Sequence, residues 1–98
     1  MSDYTQYEIG ILNNVLYYLK EEGYEDSLPS FYGYKEEAFT ILKVAPYGFI
    51  TFFGERGTIH NLQVFTHIED AVNYIINDGL CIENGKNYGR SKKLHPWK

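Results

Sequence analysis

Tyr7, Ile11, Leu12, Val15, Leu16 and Leu19 recur at helical spacing and lay one apolar stripe along the start of the chain. Asp3 stands where a cap belongs, with Gln6 three positions on as in a capping box, and Gly23 lies where a left-handed residue closes a helix. The pattern predicts a helix from about Tyr4 to Glu22. The period then breaks. Residues 23–37, "GYEDSLPSFYGYKEE", read as a connection, because Pro29, Gly33 and the Asp-Ser and Pro-Ser pairs interrupt any regular spacing.

From Ala38 the pattern turns to strands. "AFTILKVA" is rich in β-branched and aromatic residues and ends before Pro46; "PYG" reads as a turn; "FITFF" and "TIHNLQVF" are the next two strands. Short connections allow only an antiparallel meander, since parallel pairing needs long crossovers. Gly54-Glu55-Arg56-Gly57 suits a four-residue hairpin connection, with glycines free to take positive φ. Thr66-His67-Ile68-Glu69 fits a second capping box, with Thr66 as the cap. Ile68, Ala71, Val72, Ile75 and Ile76 then follow helical spacing until Asp78-Gly79, and "LCI" at 80–82 offers a short fourth strand. These elements predict an α+β fold: a three- to four-stranded antiparallel meander packed with the N-terminal helix and a helix after the third strand.

Ninety-eight residues make a single domain with a modest core. Residues 1–85 are expected to form it, and the polar stretch 86–98 reads as a tail. No apolar run reaches the ~20 residues that span a bilayer, and "MSDYTQYEIG" has neither the basic nor the apolar region of a secretory signal. Cys81 is the single cysteine, which excludes an internal disulfide and suits a reducing cytoplasm. One Cys and three scattered His argue against a structural metal site, and nothing in the chain calls for a cofactor.

Charge is divided unevenly. Residues 1–85 carry all thirteen acids and four bases, a net −9, whereas residues 86–98 carry five bases and no acid. An acidic body repels nucleic acid and steers basic proteins toward itself.

Charge meets a turn at residues 54–57. Glu55, Arg56 and His60 are close in sequence, yet a general base needs a raised pKa, usually from burial, and a hairpin tip supplies little. Cys81 has no neighbouring His in sequence and reads as a small buried apolar group. His67 and His95 read as a first-turn helix residue and a tail residue. "NYGRSKK" opens no helix and makes no phosphate loop. The tail mixes basic and aromatic residues as single-strand binders do, but five charges are a small footprint beside the acidic body. The expectation is a protein that is not an enzyme.

An aromatic strand, then Glu55-Arg56-Gly57, then a polar strand ending in Phe65, lead into Glu69, Ala71 and Tyr74 on a helix. Over about residues 38–79 this resembles small bacterial immunity proteins of polymorphic-toxin systems, including contact-dependent growth inhibition. In some of those families a strand-"ERG"-strand hairpin precedes an F-x(n)-E-x-A-x-x-Y helix. The resemblance implies a cytoplasmic antitoxin that binds and blocks a cognate toxin domain, often a nuclease.

The charge distribution leads independently to a basic partner. Its expected contacts are the carboxylates Glu21, Glu22, Glu25, Asp26, Glu36 and Glu37, with Tyr24, Tyr32 and Tyr34 as anchors. Carboxylates and rings interleaved on one connection make either a binding surface or a solvated loop pinned by its rings. Two other functions share these features. One is a phage or mobile-element inhibitor that mimics nucleic acid; the other is a small RNA-binding accessory protein that uses the basic tail.

Overall fold

The structure is a computed structural model that describes residues 3–82; the basic tail expected at 86–98 lies outside them. Helix α1 spans Gln6–Glu21. Its cap is Thr5 rather than Asp3, because Thr5-Gln6-Tyr7-Glu8 carries the stronger box: Thr5 Oγ1 accepts the Glu8 amide at 3.1 Å and Glu8 Oε1 accepts the Thr5 amide at 2.8 Å. The far end closes as the glycine suggested. Gly23 has φ +90°, its amide donates to the Lys20 carbonyl at 3.2 Å, and the Tyr24 amide donates to Leu19 at 2.8 Å. These two bonds are the Schellman pair, and they turn Tyr24 back onto the helix it follows.

The sheet has the order β1-β2-β3, with β1 at Ala38–Ala45, β2 at Gly48–Glu55 and β3 at Thr58–Phe65, all antiparallel. Only Arg56 and Gly57 form the β2–β3 turn, both with positive φ (54° and 76°), so Gly54 and Glu55 belong to the strand rather than to a four-residue loop. Two left-handed residues match the right-handed twist of the flanking strands. Farther along β3 the register shifts: Gln63 faces Thr51 but His60 faces Phe53, leaving Asn61 (φ 58°) and Leu62 opposite Phe52. This is a β-bulge, and asparagine tolerates the left-handed backbone it needs. The outer side of β1 is occupied at one point. Ser30 bridges Thr40 in parallel, with Ser30 N–H donating to Phe39 O and Ile41 N–H donating to Ser30 O, both at 2.9 Å.

Helix α2 runs Ile68–Tyr74 and continues into a π-helical turn, Ile75–Gly79. His67 is the last extended residue, so Glu69 falls one position too early for the expected box, and the cap makes no side-chain hydrogen bond. The Glu69 carboxylate instead accepts the hydroxyl of Tyr7 on α1. Gly79 does not end the helix by positive φ. Its role is space: a Cβ there would stand 2.8 Å from the Phe39 ring. The left-handed residue is Cys81 (φ 55°), and Leu80–Ile82 form no fourth strand.

Both helices cover one face of the sheet. Leu12, Val15 and Leu19 from α1 and Ile68, Val72, Ile75 and Ile76 from α2 meet Ile41 and Phe49 in a single core. Each such side chain contributes about 1.5–3 kcal/mol on leaving water. Tyr7, expected in the apolar stripe, is instead 62% exposed at its edge. The helix-facing side also holds a buried charge pair. Lys43 Nζ donates to Glu8 Oε1 at 2.7 Å, and the ammonium lies 5.9 Å from the centre of the Phe49 ring. Burial pushes the Glu8 carboxyl up, but the hydrogen bonds from Lys43 and Thr5 and the Lys43 charge outweigh it, leaving the pKa below the ordinary carboxylate value.

Candidate partner-binding surface

The residues expected at a binding surface all lie on, or directly before, the connection from α1 to β1. Glu21 ends α1, Glu22 is its C-cap, and Glu25 and Asp26 form a 3-10 turn with Ser27; all four carboxylates are exposed. None of Glu21, Glu22, Glu25, Asp26 or Glu37 forms an ion pair with another described residue. Tyr24 is half-buried and packs against the core, as its place in the Schellman pair requires. It supports the surface more than it projects from it. Tyr32 is 71% exposed, with its ring edge-on to Tyr4 at 5.6 Å between centroids.

Tyr34, Glu36 and Glu37 turn toward the tip of the β2–β3 hairpin. The Tyr34 hydroxyl donates to Glu36 Oε1 and accepts the Gly57 amide, each at 2.7 Å. Glu36 also accepts the backbone amides of Arg56 and Gly57. Those bonds from Tyr34, then Arg56 and Gly57, hold the Glu36 carboxyl below its ordinary pKa. Glu37 takes positive φ (56°), and its amide donates to the Gly54 carbonyl at 2.8 Å. The Tyr34 ring lies so close over Gly54 that a Cβ there would stand 2.6 Å from it. The turn amides that would otherwise point into water thus close onto the connection.

The rest of the connection is tied down as well. The Tyr4 hydroxyl lies 2.9 Å from both the Phe31 and the Ile41 carbonyl oxygens, and burial pushes its pKa up. Ser30 and Thr40 hydroxyls both reach the Gly33 carbonyl, and Lys35 Nζ donates to Leu28 O at 3.0 Å. Of the two forms open at the sequence level, the geometry gives a fixed connection with rings on both its inner and outer sides. A fixed surface loses less conformational entropy when a partner docks.

Glu55, Arg56 and His60 do not converge. Glu55 pairs with Thr58 and His60 with Phe53, Arg56 is a turn residue, and all three side chains are exposed. Cys81, expected to be buried, is exposed with Sγ 3.2 Å from Asp78 O. Among the described residues no group of three or more His, Cys, Asp and Glu side chains is placed to hold a metal ion, and no helix is long and apolar enough to cross a membrane.

No family model matches the chain, and neither the curated proteins nor the solved structures contain a match to it.

Two sets of exposed side chains escaped the sequence pattern. Tyr7, at the edge of the core-facing stripe, and Tyr17 are 62% and 65% exposed on α1. On the sheet face away from the helices, Leu42, Ile50 and Val64 lie in one cross-strand row. The available signal was that both alternating sets of β1 and β2 are apolar, although the helices can cover only one.

Proposed function

We propose that the chain is an immunity protein that binds and neutralises a cationic toxin domain of nuclease type in the cytoplasm, through the acidic, aromatic-rich connection between α1 and β1. The observation that carries this reading is the set of exposed carboxylates Glu21, Glu22, Glu25, Asp26 and Glu37, none of which has an internal ion-pair partner among the described residues. They lie on a body whose net charge is −9 over residues 1–85. A nuclease presents a basic cleft to phosphate, and carboxylates on a preformed support can occupy such a cleft in place of phosphates. Long-range attraction accelerates the encounter, while Tyr32, the most exposed ring of the set, slows dissociation once its surface is covered. The resemblance of residues 38–79 to immunity proteins of polymorphic-toxin systems agrees with this chemistry.

The test begins with the protein that co-purifies with this chain from its native cells and is released by salt. Expressed alone, that protein should arrest growth, and co-expression of this chain should restore it. Replacing Glu21, Glu22, Glu25 and Asp26 together by Lys should lower the association rate at least about tenfold at low salt and abolish protection. A charge-reversed chain that associates as fast and still protects overturns the assignment.

A further inference from the structure

We infer that the sheet face turned away from the helices is a self-association surface, and that its occupant is the same face of a second copy of this chain. Residues 33–37 cover only the hairpin end of that face: Tyr34 lies on Gly54, and the Thr40 hydroxyl meets the Gly33 carbonyl. The other end is open. Leu42, Ile50 and Val64 form one row across all three strands, half-buried, half-buried and 70% exposed. Val44 (44% exposed) lies two positions beyond Leu42, Leu62 (54%) sits in the bulge opposite Phe52, and Tyr47 (81%) tips the β1–β2 turn.

No charged side chain belongs to this set, so it offers nothing to a cationic partner. Against a net charge of −9 elsewhere in residues 1–85, an uncharged apolar face is the surface on which a like-charged copy meets no opposing carboxylate. Area argues the same way. The exposed fractions of the five strand residues leave an apolar patch inside the range of about 300–600 Å² for the largest such patch on an ordinary monomer. Two copies would remove about twice that, roughly 600–1,200 Å² before any polar rim is counted, the size of a weak, transient interface. Two twisted sheets stack face to face at about 10 Å with strands near −30°, and a two-fold axis makes such a face its own complement. The interface is small, so the dimer is weak and reversible.

Sedimentation velocity of the full chain from about 2 to 500 µM tests this. The expected result is a monomer–dimer equilibrium that tightens as salt rises from about 50 to 300 mM, because salt screens repulsion between the acidic bodies. That response is opposite in sign to capture of a cationic partner, so this inference and the proposed function can fail separately. Val64→Lys, at an exposed position, should keep the circular dichroism and melting of the parent and weaken the dimer at least about tenfold. Ile59→Lys, at the hairpin end of the same strand, should leave it intact. A chain that stays monomeric at about 500 µM, whether residues 83–98 cover the face or nothing does, overturns the inference. A dimer indifferent to Val64→Lys overturns it too.

Discussion

The carboxylate of Glu36 accepts the backbone amide of Arg56, twenty residues farther along the chain and at the tip of the β2–β3 hairpin. A side chain on the connection thereby completes a turn whose two central residues, Arg56 and Gly57, have no strand partner for their amides. Glu36→Gln should weaken this hold without unfolding the sheet. The folded-state pKa is lowered, so the hold is present above the ordinary carboxylate value and is lost as pH falls through the depressed pKa. The Arg56 amide proton, followed by NMR, should titrate with a midpoint below that of a free glutamate, and Glu36→Gln should abolish the titration. An Arg56 amide indifferent to both would show that the contact does not persist in solution.

The Glu8–Lys43 pair behaves differently because it is buried, with side-chain exposures of 12% and 4%. Glu8→Gln keeps a capping-box residue but strands the Lys43 ammonium, and should cost about 3–5 kcal/mol in urea unfolding. Adding Lys43→Met should recover most of that loss, since a neutral pair has no desolvation to offset. The parent should lose the pair's contribution on acidification through the depressed Glu8 pKa, while the double variant should show a flatter acid limb. A single substitution costing under about 1 kcal/mol would refute a buried, unscreened pair.

Two glycines make opposite predictions. Gly54→Ala drives a methyl to 2.6 Å from the Tyr34 ring and 2.8 Å from the Lys35 carbonyl, and should destabilise by about 1–3 kcal/mol. Gly10, in the middle of α1, has nothing within 4 Å of a built Cβ. Gly10→Ala should therefore raise stability by about 0.5–1 kcal/mol through helix propensity alone. Thermal melts of both variants check the pair, and equal signs would contradict the packing described.

Thr51 is fully buried on the helix side of β2, and its hydroxyl has no hydrogen-bond partner among the described residues. Valine has nearly the same shape and no polar atom to leave unsatisfied. Thr51→Val should stabilise by about 1 kcal/mol, read as a rise in melting temperature. A loss of similar size would mean the hydroxyl is in fact bonded.

The strand boundaries were legible because β-branched and aromatic runs ended at real turns. "AFTILKVA" and "TIHNLQVF" match β1 and β3 residue for residue. Caps were read less well. Asp3 and Thr5 both suit an N-cap chemically, and only the reciprocal bond with Glu8 selects Thr5. At α2 the extended backbone of His67 moved the start one residue past the place Thr66 would require. For the candidate surface, sequence placed the carboxylates on a connection but could not see that Tyr34 and Glu36 hold a hairpin 20 residues away. Such contacts depend on tertiary approach, which no local period encodes. Lys43 was the overlooked clue: a lone cation inside an apolar strand calls for a buried anion, and Glu8 is the one that answers it.

The Ser30 bridge along β1 limits how these molecules can assemble. Edge-to-edge stacking into a fibril needs an unoccupied strand on each side of every subunit, and here Ser30 occupies the β1 edge between Phe39 and Ile41. A copy joining at β3 would present that interrupted border to the next arrival. The interruption opposes growth past a pair in an aromatic-rich chain.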